Sequence, residues 1–555
     1  MRRVLTIMCA LLAATASTVS LAGAQPAKFE IVVVDGPGEG FNDQTPAAPV
    51  GGNTGTTRGE QRLKAFEYAA SIWSARLRSA VPIKIRASFD PLGANVLGSA
   101  GPRTIEADFP NAPQAGVWYA QALANSLAGV DLSPDFEDLS ARFSSDFTFY
   151  LGIDNKAPAG QNDLVAVLLH EFAHGLGFTY TANRTTFDLE QGMPDSYMQH
   201  LFDNSVGLYW PDMTSAQRFS SARRFGALVW DGAHVLEDVP QVLVFGSPEL
   251  RVLTPAAVAG SYQFGTAAFG PSIAQTPVVG GVVVVALDAS DAAGPATTDG
   301  CSALTNAAAV AGKVALIERG TCGFVVKAAT AQAAGAIGVI IYNNAANATA
   351  AAPGMAGVDP SIVIPSLSLN RQDGLGLAAA APGSVTVNMS VDPTIRAGAD
   401  PQGRVRLYAP PLFASGSSVA HFDTVASRNL LMEPAINPDL THNVEAPFDL
   451  TLELFHDIGW NDRDFDGVLD DDDCEVFSDK RATVVIGTTD TGVPNYSFSN
   501  GCTMADLVSD AKQSSSNHGG YVSGVAHLSN GWVAEGLISG AQKGTIQSTV
   551  ARSCA

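Results

Sequence analysis

The stretch that decides the fold of this 555-residue chain is a nine-residue motif on a predicted helix. It reads His170-Glu171-Phe172-Ala173-His174-Gly175-Leu176-Gly177-Phe178. Histidines four residues apart lie on one face of a helix, so both imidazoles can bind one zinc ion while Glu171 points to the open coordination position. The apolar run before the motif predicts a buried helix that Asn162 or Asp163 caps and that Gly175 and Gly177 end. A structural pair of buried histidines is the alternative.

Length and composition limit the classes of protein that fit. A chain of 555 residues is too long for one core, so we expect two to four domains. Hydrophobic residues make up 46% of it, which is enough for globular folding. The balance of 32 Lys+Arg against 54 Asp+Glu gives no charge-driven attraction to nucleic acid or to an anionic membrane.

The first 24 residues predict a secretory signal peptide. Arg2 and Arg3 give a positive start, an apolar run follows, and Ala22-Gly23-Ala24 matches an A-x-A cleavage site. The apolar run is too short to span a bilayer as a helix. We therefore expect a secreted, extracellular chain that begins at Gln25 and has no membrane span; a periplasmic location is the alternative.

The cysteines are consistent with export. Cys9 leaves with the predicted signal, and Cys301 and Cys322 are close enough in sequence for a disulfide. Three further cysteines lie near the C-terminal end: Cys474, Cys502 and Cys554. An odd number in the mature chain leaves one cysteine unpaired, and the pairing of the last three stays open.

Periodicity around the motif predicts an α+β fold. Strands are expected over 29–35, 81–89 and 147–154, with a helix over 60–79. The motif helix follows the last of these strands. This order predicts a mixed sheet that supports the zinc helix.

A zinc site needs a third protein ligand, and the position three residues after Gly177 holds Tyr180. The motif resembles the metzincin family, whose compact signature HExxHxxGxxH has a histidine there. The other candidates are Glu190 and the histidines that follow the motif: His200, His234, His421, His442, His456, His518 and His527.

His421 is the favoured third ligand. It lies in Ser417-Ser418-Val419-Ala420-His421-Phe422-Asp423, and Met432 follows it. This pattern resembles the leishmanolysin-like metzincins, in which an inserted segment separates the motif from the third histidine and a Met-turn follows. The resemblance implies that His170, His174 and His421 bind zinc and that Met432 forms the floor beneath the ion. A surface histidine and a core methionine are the alternative.

The segment between these two motifs resembles a protease-associated (PA) domain. Residues 312–324 lead into an Ala-rich run, and residues 336–344 read as a buried strand. We place this α/β insert at 247–392, and the resemblance implies a role in substrate access or protein contact. An ordinary β-α-β unit is the alternative.

An acidic loop follows a predicted helix that ends at Trp460. Its carboxylates occupy the positions that wrap a calcium ion, and a glycine stands at position six. The five are Asp462, Asp464, Asp466, Asp470 and Asp473. The loop resembles EF-hand and thrombospondin type 3 loops; a solvated acidic linker is the alternative.

Together these patterns predict a metzincin-like catalytic domain interrupted by the PA domain, with a small C-terminal appendage. The expected segments are 1–24, 25–246, 247–392, 393–460, 461–474 and 475–555, the last with no assigned role. The resemblance implies a zinc endopeptidase acting on proteins or peptides, in which Glu171 is the general base. A zinc exopeptidase and a non-catalytic binding protein are the alternatives; the oligomeric state stays open.

Overall fold

The structure, a computed structural model, describes residues 25–93, 96–347 and 352–553. The predicted signal peptide, Cys9 and Cys554 lie outside these residues. We name three regions: a main domain (residues 25–244 and 397–460), an inserted domain (245–396) and a C-terminal module (475–553). The fold is α+β, as predicted, with mixed sheets in the main and inserted domains.

The first part of the main domain contains short strands and five helices among the described residues. The strands are β1 (Phe29–Val33), β2 (Ile83–Asp90), β3 (Gly98–Pro102), β4 (Ile105–Glu106), β5 (Tyr119–Ala120), β6 (Leu139–Ser144), β7 (Phe149–Tyr150), β8 (Asn162–Asp163), β9 (Leu201–Asp203), β10 (Leu208–Tyr209) and β11 (Leu228–Trp230). The helices are α1 (Arg58–Arg76), α2 (Gln121–Ala128), α3 (Leu164–Leu176), α4 (Ser215–Ser221) and α5 (Ala233–Val242).

A four-stranded sheet supports the motif helix. Its order is β1-β2-β6-β3; the first three strands are parallel, and β3 runs antiparallel to β6 at the edge. The prediction that residues 147–154 form a strand of this sheet is wrong. Only the two-residue strand β7 forms there, and it pairs with β8. The sheet strand is β6, whose residues alternate between the core and the opposite face.

Helix α3 carries the motif and is buried along its whole length. The carboxylate of Asp163 accepts a hydrogen bond from the N–H of Val165 and caps its start. Gly175 lies inside the helix, where a Cβ would come within 2.5 Å of the Leu139 side chain on β6. Gly177 ends the helix with φ +129°. The two glycines therefore have different roles: one permits close packing on the sheet, and the other ends the helix.

The inserted domain is built on an eight-stranded sheet of order β13-β12-β19-β15-β16-β17-β18-β14. The strands are β12 (Phe245–Thr254), β13 (Gly260–Tyr262), β14 (Gly265–Thr266), β15 (Val278–Val285), β16 (Val314–Glu318), β17 (Gly338–Tyr342), β18 (Ser366–Leu369) and β19 (Thr386–Arg396), and the helices are α6 (Ala307–Val310), α7 (Phe324–Ala333) and α8 (Arg371–Ala380). Strands β15 to β18 are parallel, whereas β12 and β19 form a long antiparallel pair through which the chain enters and leaves.

The chain then returns to the main domain and ends in the C-terminal module. The remaining helices and strands are α9 (Thr451–Asp457), β20 (Thr483–Ile486), β21 (Thr489–Pro494), α10 (Met504–Gln513), α11 (His518–Ala534) and α12 (Gly540–Arg552). One disulfide joins Cys301 to Cys322 in the insert, and another joins Cys474, just before the module, to Cys502 within it. None of the helices in the described ranges combines the length and hydrophobicity that a membrane crossing requires.

Candidate metal centre

Three buried imidazoles meet in a cleft between β3 and the segment that follows the inserted domain. His170 and His174 come from α3, and His421 comes from the segment after the insert. The Nε2 atoms of His170 and His421 lie 3.2 Å apart, and the three ring centroids are separated by 4.8 to 5.1 Å. The structure thus brings together the three histidines that the sequence proposed as ligands.

Backbone carbonyls fix the orientation of all three rings. The Nδ1 atom of His170 lies 2.7 Å from the carbonyl oxygen of Leu431, and that of His174 lies 2.8 Å from the carbonyl of Phe178. The Nδ1 atom of His421 lies 2.8 Å from the carbonyl of Ser417. A carbonyl only accepts, so each Nδ1 carries the proton and each Nε2 presents a lone pair.

Three lone pairs directed at one point repel one another unless a cation lies between them. Burial lowers the pKa of His170 to about 4 and that of His174 to about 3, so the rings are neutral at neutral pH. Burial also holds the pKa of His421 well below its ordinary value. Neutral imidazoles whose second nitrogen donates to a carbonyl are the usual donors of a zinc site, so the residues present fit that ion.

Glu171 lies beside the imidazoles and beneath strand β3. Burial raises its pKa to about 8, and the backbone N–H of Ala100 opposes that shift by hydrogen bonding. A divalent cation at the imidazoles would further favour the carboxylate. A Cβ on Gly98 would come within 2.7 Å of the Glu171 side chain, so glycine lets the edge strand approach the carboxylate.

The segment that contains Met432 connects two of the histidines. Leu431 accepts the hydrogen bond from His170, and the carbonyl of Met432 accepts one from the N–H of Phe422, next to His421. The Met432 side chain is fully buried in the main-domain core. The carboxylate of Asp449 accepts a hydrogen bond from the N–H of Leu431 at 2.6 Å and holds this turn. No sequence pattern indicated Asp449, because only the fold brings it against Leu431, 18 residues away.

Backbone strain lies two residues before His421. Val419 has φ +76°, a conformation that a β-branched residue rarely adopts. Its carbonyl accepts a hydrogen bond from the hydroxyl of Tyr197 at 2.8 Å, and its N–H donates to Tyr408. These hydrogen bonds stabilise the strained turn, which positions His421 beside the other two imidazole rings.

Tyr180 and Glu190 lie outside the group of imidazoles. Tyr180 is buried with its ring 5.7 Å from that of Trp210, and its hydroxyl has no hydrogen-bond partner among the described residues. Glu190 is exposed in a short 3-10 helix. The turn after Gly177 therefore directs Tyr180 into the core, and His421 takes the place beside His170 and His174.

A cleft of about 550 Å³ opens over the three imidazoles and Glu171. Edge strand β3 with the residues just before it forms one wall, and residues 415–417 with 434–436 form the other. Arg184 also lines it. Neither β3 nor Arg184 belongs to a recognisable sequence motif, so the sequence alone did not indicate them.

The structure brings together three of the five carboxylates in the predicted calcium loop. Oxygens of Asp462, Asp464 and Asp466 lie within 4.8 Å of one another. Asp470 instead pairs with Arg463, whose Nε lies 3.1 Å from its carboxylate. Asp473 accepts a hydrogen bond from the N–H of Glu475. A nearby guanidinium and the backbone thus occupy the last two carboxylates.

Comparison with known proteins identifies the inserted domain. The PA domain family model matches residues 278–377, within the eight-stranded sheet. The chain therefore contains a PA domain.

Several curated relatives are aminopeptidases. Leucine aminopeptidase 2 of Trichophyton rubrum is 40% identical over 97 residues, which is 17% of this chain and 19% of the relative. An aminopeptidase of Pseudomonas aeruginosa strain UCBPP-PA14 is 55% identical over 60 residues, 11% of each chain. This chain thus spans a fifth or less of the relatives' length, and the matched stretches are no longer than the PA domain.

Among solved structures, an aminopeptidase from Aneurinibacillus sp. strain AM-1 aligns with 27% of this chain and 31% of its own, at 21% identity and a TM-score of 0.20. That score carries no argument about the main domain. The comparisons thus identify the PA domain and assign no activity to the main domain.

Proposed function

We propose that this protein is a zinc-dependent endopeptidase with a metzincin-like, leishmanolysin-type arrangement of ligands. His170, His174 and His421 would hold the ion, and Glu171 would act as general base. The observation that carries the proposal is the convergence of three neutral imidazoles whose Nδ1 protons all go to backbone carbonyls. Met432 would form the apolar floor of the site.

The chain's own groups supply the remaining steps of peptide hydrolysis. When bound, zinc would supply Lewis-acid polarisation of the scissile carbonyl and of the attacking water. The Glu171 carboxylate takes a proton from that water as it attacks and delivers the proton to the leaving amine nitrogen. The burial of Glu171 excludes bulk water from this transfer. Strand β3 is the last strand of its sheet among the described residues, so an extended peptide could add beside it as another strand.

The second candidate is an aminopeptidase, favoured by the names of the sequence relatives. Such an enzyme must bind a free α-ammonium group, usually with a carboxylate. Among the described residues that line the cleft, Glu171 is the only acid and Arg184 carries a positive charge. This distribution of charge favours an internal peptide bond over a free amino terminus.

Two peptide substrates separate these functions. We expect the zinc-loaded mature chain to cleave a peptide blocked at both ends and to leave leucine p-nitroanilide intact. Glu171→Ala should lower the rate by at least about a hundredfold, and a zinc chelator should abolish it. Glu190→Ala, an exposed acid outside the cleft, is the matched control and should keep full activity.

Each alternative has its own result. Hydrolysis of the anilide without cleavage of the blocked peptide would establish the aminopeptidase. Zinc bound stoichiometrically without hydrolysis of either substrate or of casein would favour the non-catalytic binding protein. Activity that persists after Glu171→Ala would remove the proposed general base.

We propose that the protein is exported to an oxidising compartment, outside the cell or in a periplasm. The disulfides Cys301–Cys322 and Cys474–Cys502 support this proposal, because such bonds persist where thiols are not kept reduced. Detection of the processed chain, beginning at Gln25, in culture medium or periplasmic extract would test it. We also propose that the predicted segments are the domains of the protein; the insert predicted at 247–392 begins and ends within strands β12 and β19, which extend to 245 and 396, and limited proteolysis would test the boundaries.

We also propose that the acidic loop binds calcium through Asp462, Asp464 and Asp466. Burial and the neighbouring carboxylates raise the pKa of Asp462 to about 6, and a divalent cation would relieve that repulsion. Calorimetric titration with calcium should show one site that Asp464→Asn removes. The control is Asp472→Asn, an exposed acid of the same loop. Identical heats for all three chains would contradict the proposal.

A further inference from the structure

Arg184 stands beside the imidazoles without a role in the proposed chemistry. It lies in a turn seven residues after Gly177 and lines the same cleft as His174 and His421. Its guanidinium lies 5.3 Å from the ring centroid of Tyr180, the buried residue that follows the motif. This stacking holds the cation at the cleft while leaving its N–H donors available.

No carboxylate neutralises this arginine in the part of the chain that the structure describes. Elsewhere, several arginines pair with acids: Arg76 with Glu445 at 2.6 Å, and Arg404 with Asp400 at 2.8 Å. Arg184 has no protein hydrogen bond or ion pair within the described ranges. Arg184 thus keeps its full positive charge at the cleft of a chain that has 54 acidic against 32 basic residues.

Apart from Glu171, the rest of the cleft lining is small, apolar or neutral. Leu97, Phe147, Val167 and Ile436 supply apolar surface, and Glu171 lies buried beneath β3. Arg184 therefore has the one permanent positive charge among the described lining residues. A guanidinium with free N–H donors binds a carboxylate with two parallel hydrogen bonds.

We infer that Arg184 selects substrates by binding a carboxylate close to the scissile bond. This inference rests on the proposed peptidase function and names the substrate class: acidic peptides. Two sources of that carboxylate share the chemistry, namely an Asp or Glu side chain within the peptide and the α-carboxylate at its C-terminal end. Arg184 is a specificity-determining residue in either case, and it takes no part in proton transfer.

Matched peptides test the inference. We would first map a cleaved bond in a blocked, internally quenched peptide and then place Asp, Asn or Lys at each position within three residues of it. We expect Asp at one position to raise kcat/KM about twofold to fivefold over Asn, the range for an exposed charged pair. That preference should shrink in about 0.5 M salt, because exposed charges are screened.

Variants of Arg184 assign the preference to this side chain. Arg184→Gln should abolish the discrimination between Asp and Asn, Arg184→Lys should keep part of it, and Arg184→Glu should reverse it toward Lys. The matched control is Arg223→Gln, because Arg223 also stacks on a ring, that of Phe219 at 4.2 Å, outside the cleft. Binding of the same uncleaved peptides to Glu171→Ala, measured by calorimetry, should show the same order.

A second pair of peptides separates the two sources. If the preference depends on a free terminal acid and disappears when that end is amidated, the α-carboxylate is the ligand. If it depends on Asp in a doubly blocked peptide, the side chain is the ligand. Cleavage with equal rates for Asp, Asn and Lys, or discrimination unchanged in Arg184→Gln, would overturn the inference and leave the peptidase function intact. Failure of the wild type to cleave any peptide would overturn both.

Discussion

The three imidazoles and the acidic loop are both clusters of metal-binding side chains, but they differ in how the protein satisfies them. In the cleft, each histidine gives its Nδ1 proton to a carbonyl, and the Nε2 atoms face one another. In the loop, backbone N–H groups and Arg463 already meet much of the negative charge. In the first cluster the Nε2 lone pairs face one another without a donor among the described residues, which fits a bound cation, whereas in the second cluster protein donors already partner the carboxylates.

The largest effect should follow from removal of the third histidine. His421→Ala leaves two ligands that are adjacent on one helix, so zinc affinity should fall by more than about a hundredfold and peptidase activity with it. Metal analysis after dialysis measures the first effect. His527→Ala, which removes an exposed histidine of the C-terminal module, should keep the zinc. If His421→Ala retains full zinc, the distinction between the two clusters fails.

A smaller effect should follow from loosening the turn that orients His170. Asp449 is buried and accepts hydrogen bonds from the N–H groups of Leu431 and Thr451. Asp449→Ala leaves these donors unpaired, so we expect a loss of about 3 kcal/mol in the free energy of unfolding and weaker zinc binding. Chemical denaturation with and without zinc measures both.

Asp439→Ala on the same segment is the control for Asp449→Ala. Asp439 is exposed and accepts a hydrogen bond from Asn429, so its loss should change the free energy of unfolding by less than about 0.5 kcal/mol. Equal zinc affinity in Asp449→Ala and the wild type would show that the turn does not orient the ligand.

The sequence predicted the local half of this site and missed the half that depends on the fold. The spacing of His170 and His174 fixes both on one face of a helix, because helix geometry is local. His421 lies 247 residues after His174, so no periodicity connects them, and only a family resemblance pointed to it. Strand β3 reads Gly-Ser-Ala-Gly-Pro, which lacks strand-forming residues, and forms because β6 offers it a partner. The only sequence feature that could have indicated Arg184 is its position shortly after the motif.

A second pair of histidines tests whether a metal site requires imidazole nitrogens whose lone pairs have no hydrogen-bond donor. The rings of His234 and His456 lie 5.5 Å apart, but the Nε2 of His456 lies 3.4 Å from the side-chain amide nitrogen of Asn461, a donor. This pair should therefore stay metal-free. His456→Gln should leave the zinc content unchanged. A loss of zinc would show that a hydrogen bond to the ring nitrogen does not distinguish this pair from the three imidazoles in the cleft.

The same variant gives a pH dependence of known sign. Burial, with a smaller contribution from the neighbouring His234, lowers the pKa of His456 to about 3. The unfolded chain therefore binds the proton more tightly, so this residue's contribution to stability is complete above about pH 6.5 and declines as the pH falls toward 3. Between pH 6.5 and 4.5 the wild type should lose about 2 kcal/mol more than His456→Gln. Parallel stability curves for the two chains would contradict this assignment.

The smallest effect belongs to the acidic loop, because its carboxylates already have partial partners. The loop follows α9 of the main domain and precedes Cys474, which a disulfide joins to Cys502 of the C-terminal module, so a bound ion would tie these regions together. We expect millimolar calcium to raise the midpoint of thermal unfolding by about 2 °C without changing peptidase activity. Asp464→Asn should remove the shift, and Asp472→Asn should keep it. If calcium raised the midpoint as much as zinc does, the loop would depend on its ion as the imidazoles do. The two clusters would then differ only in the type of ligand.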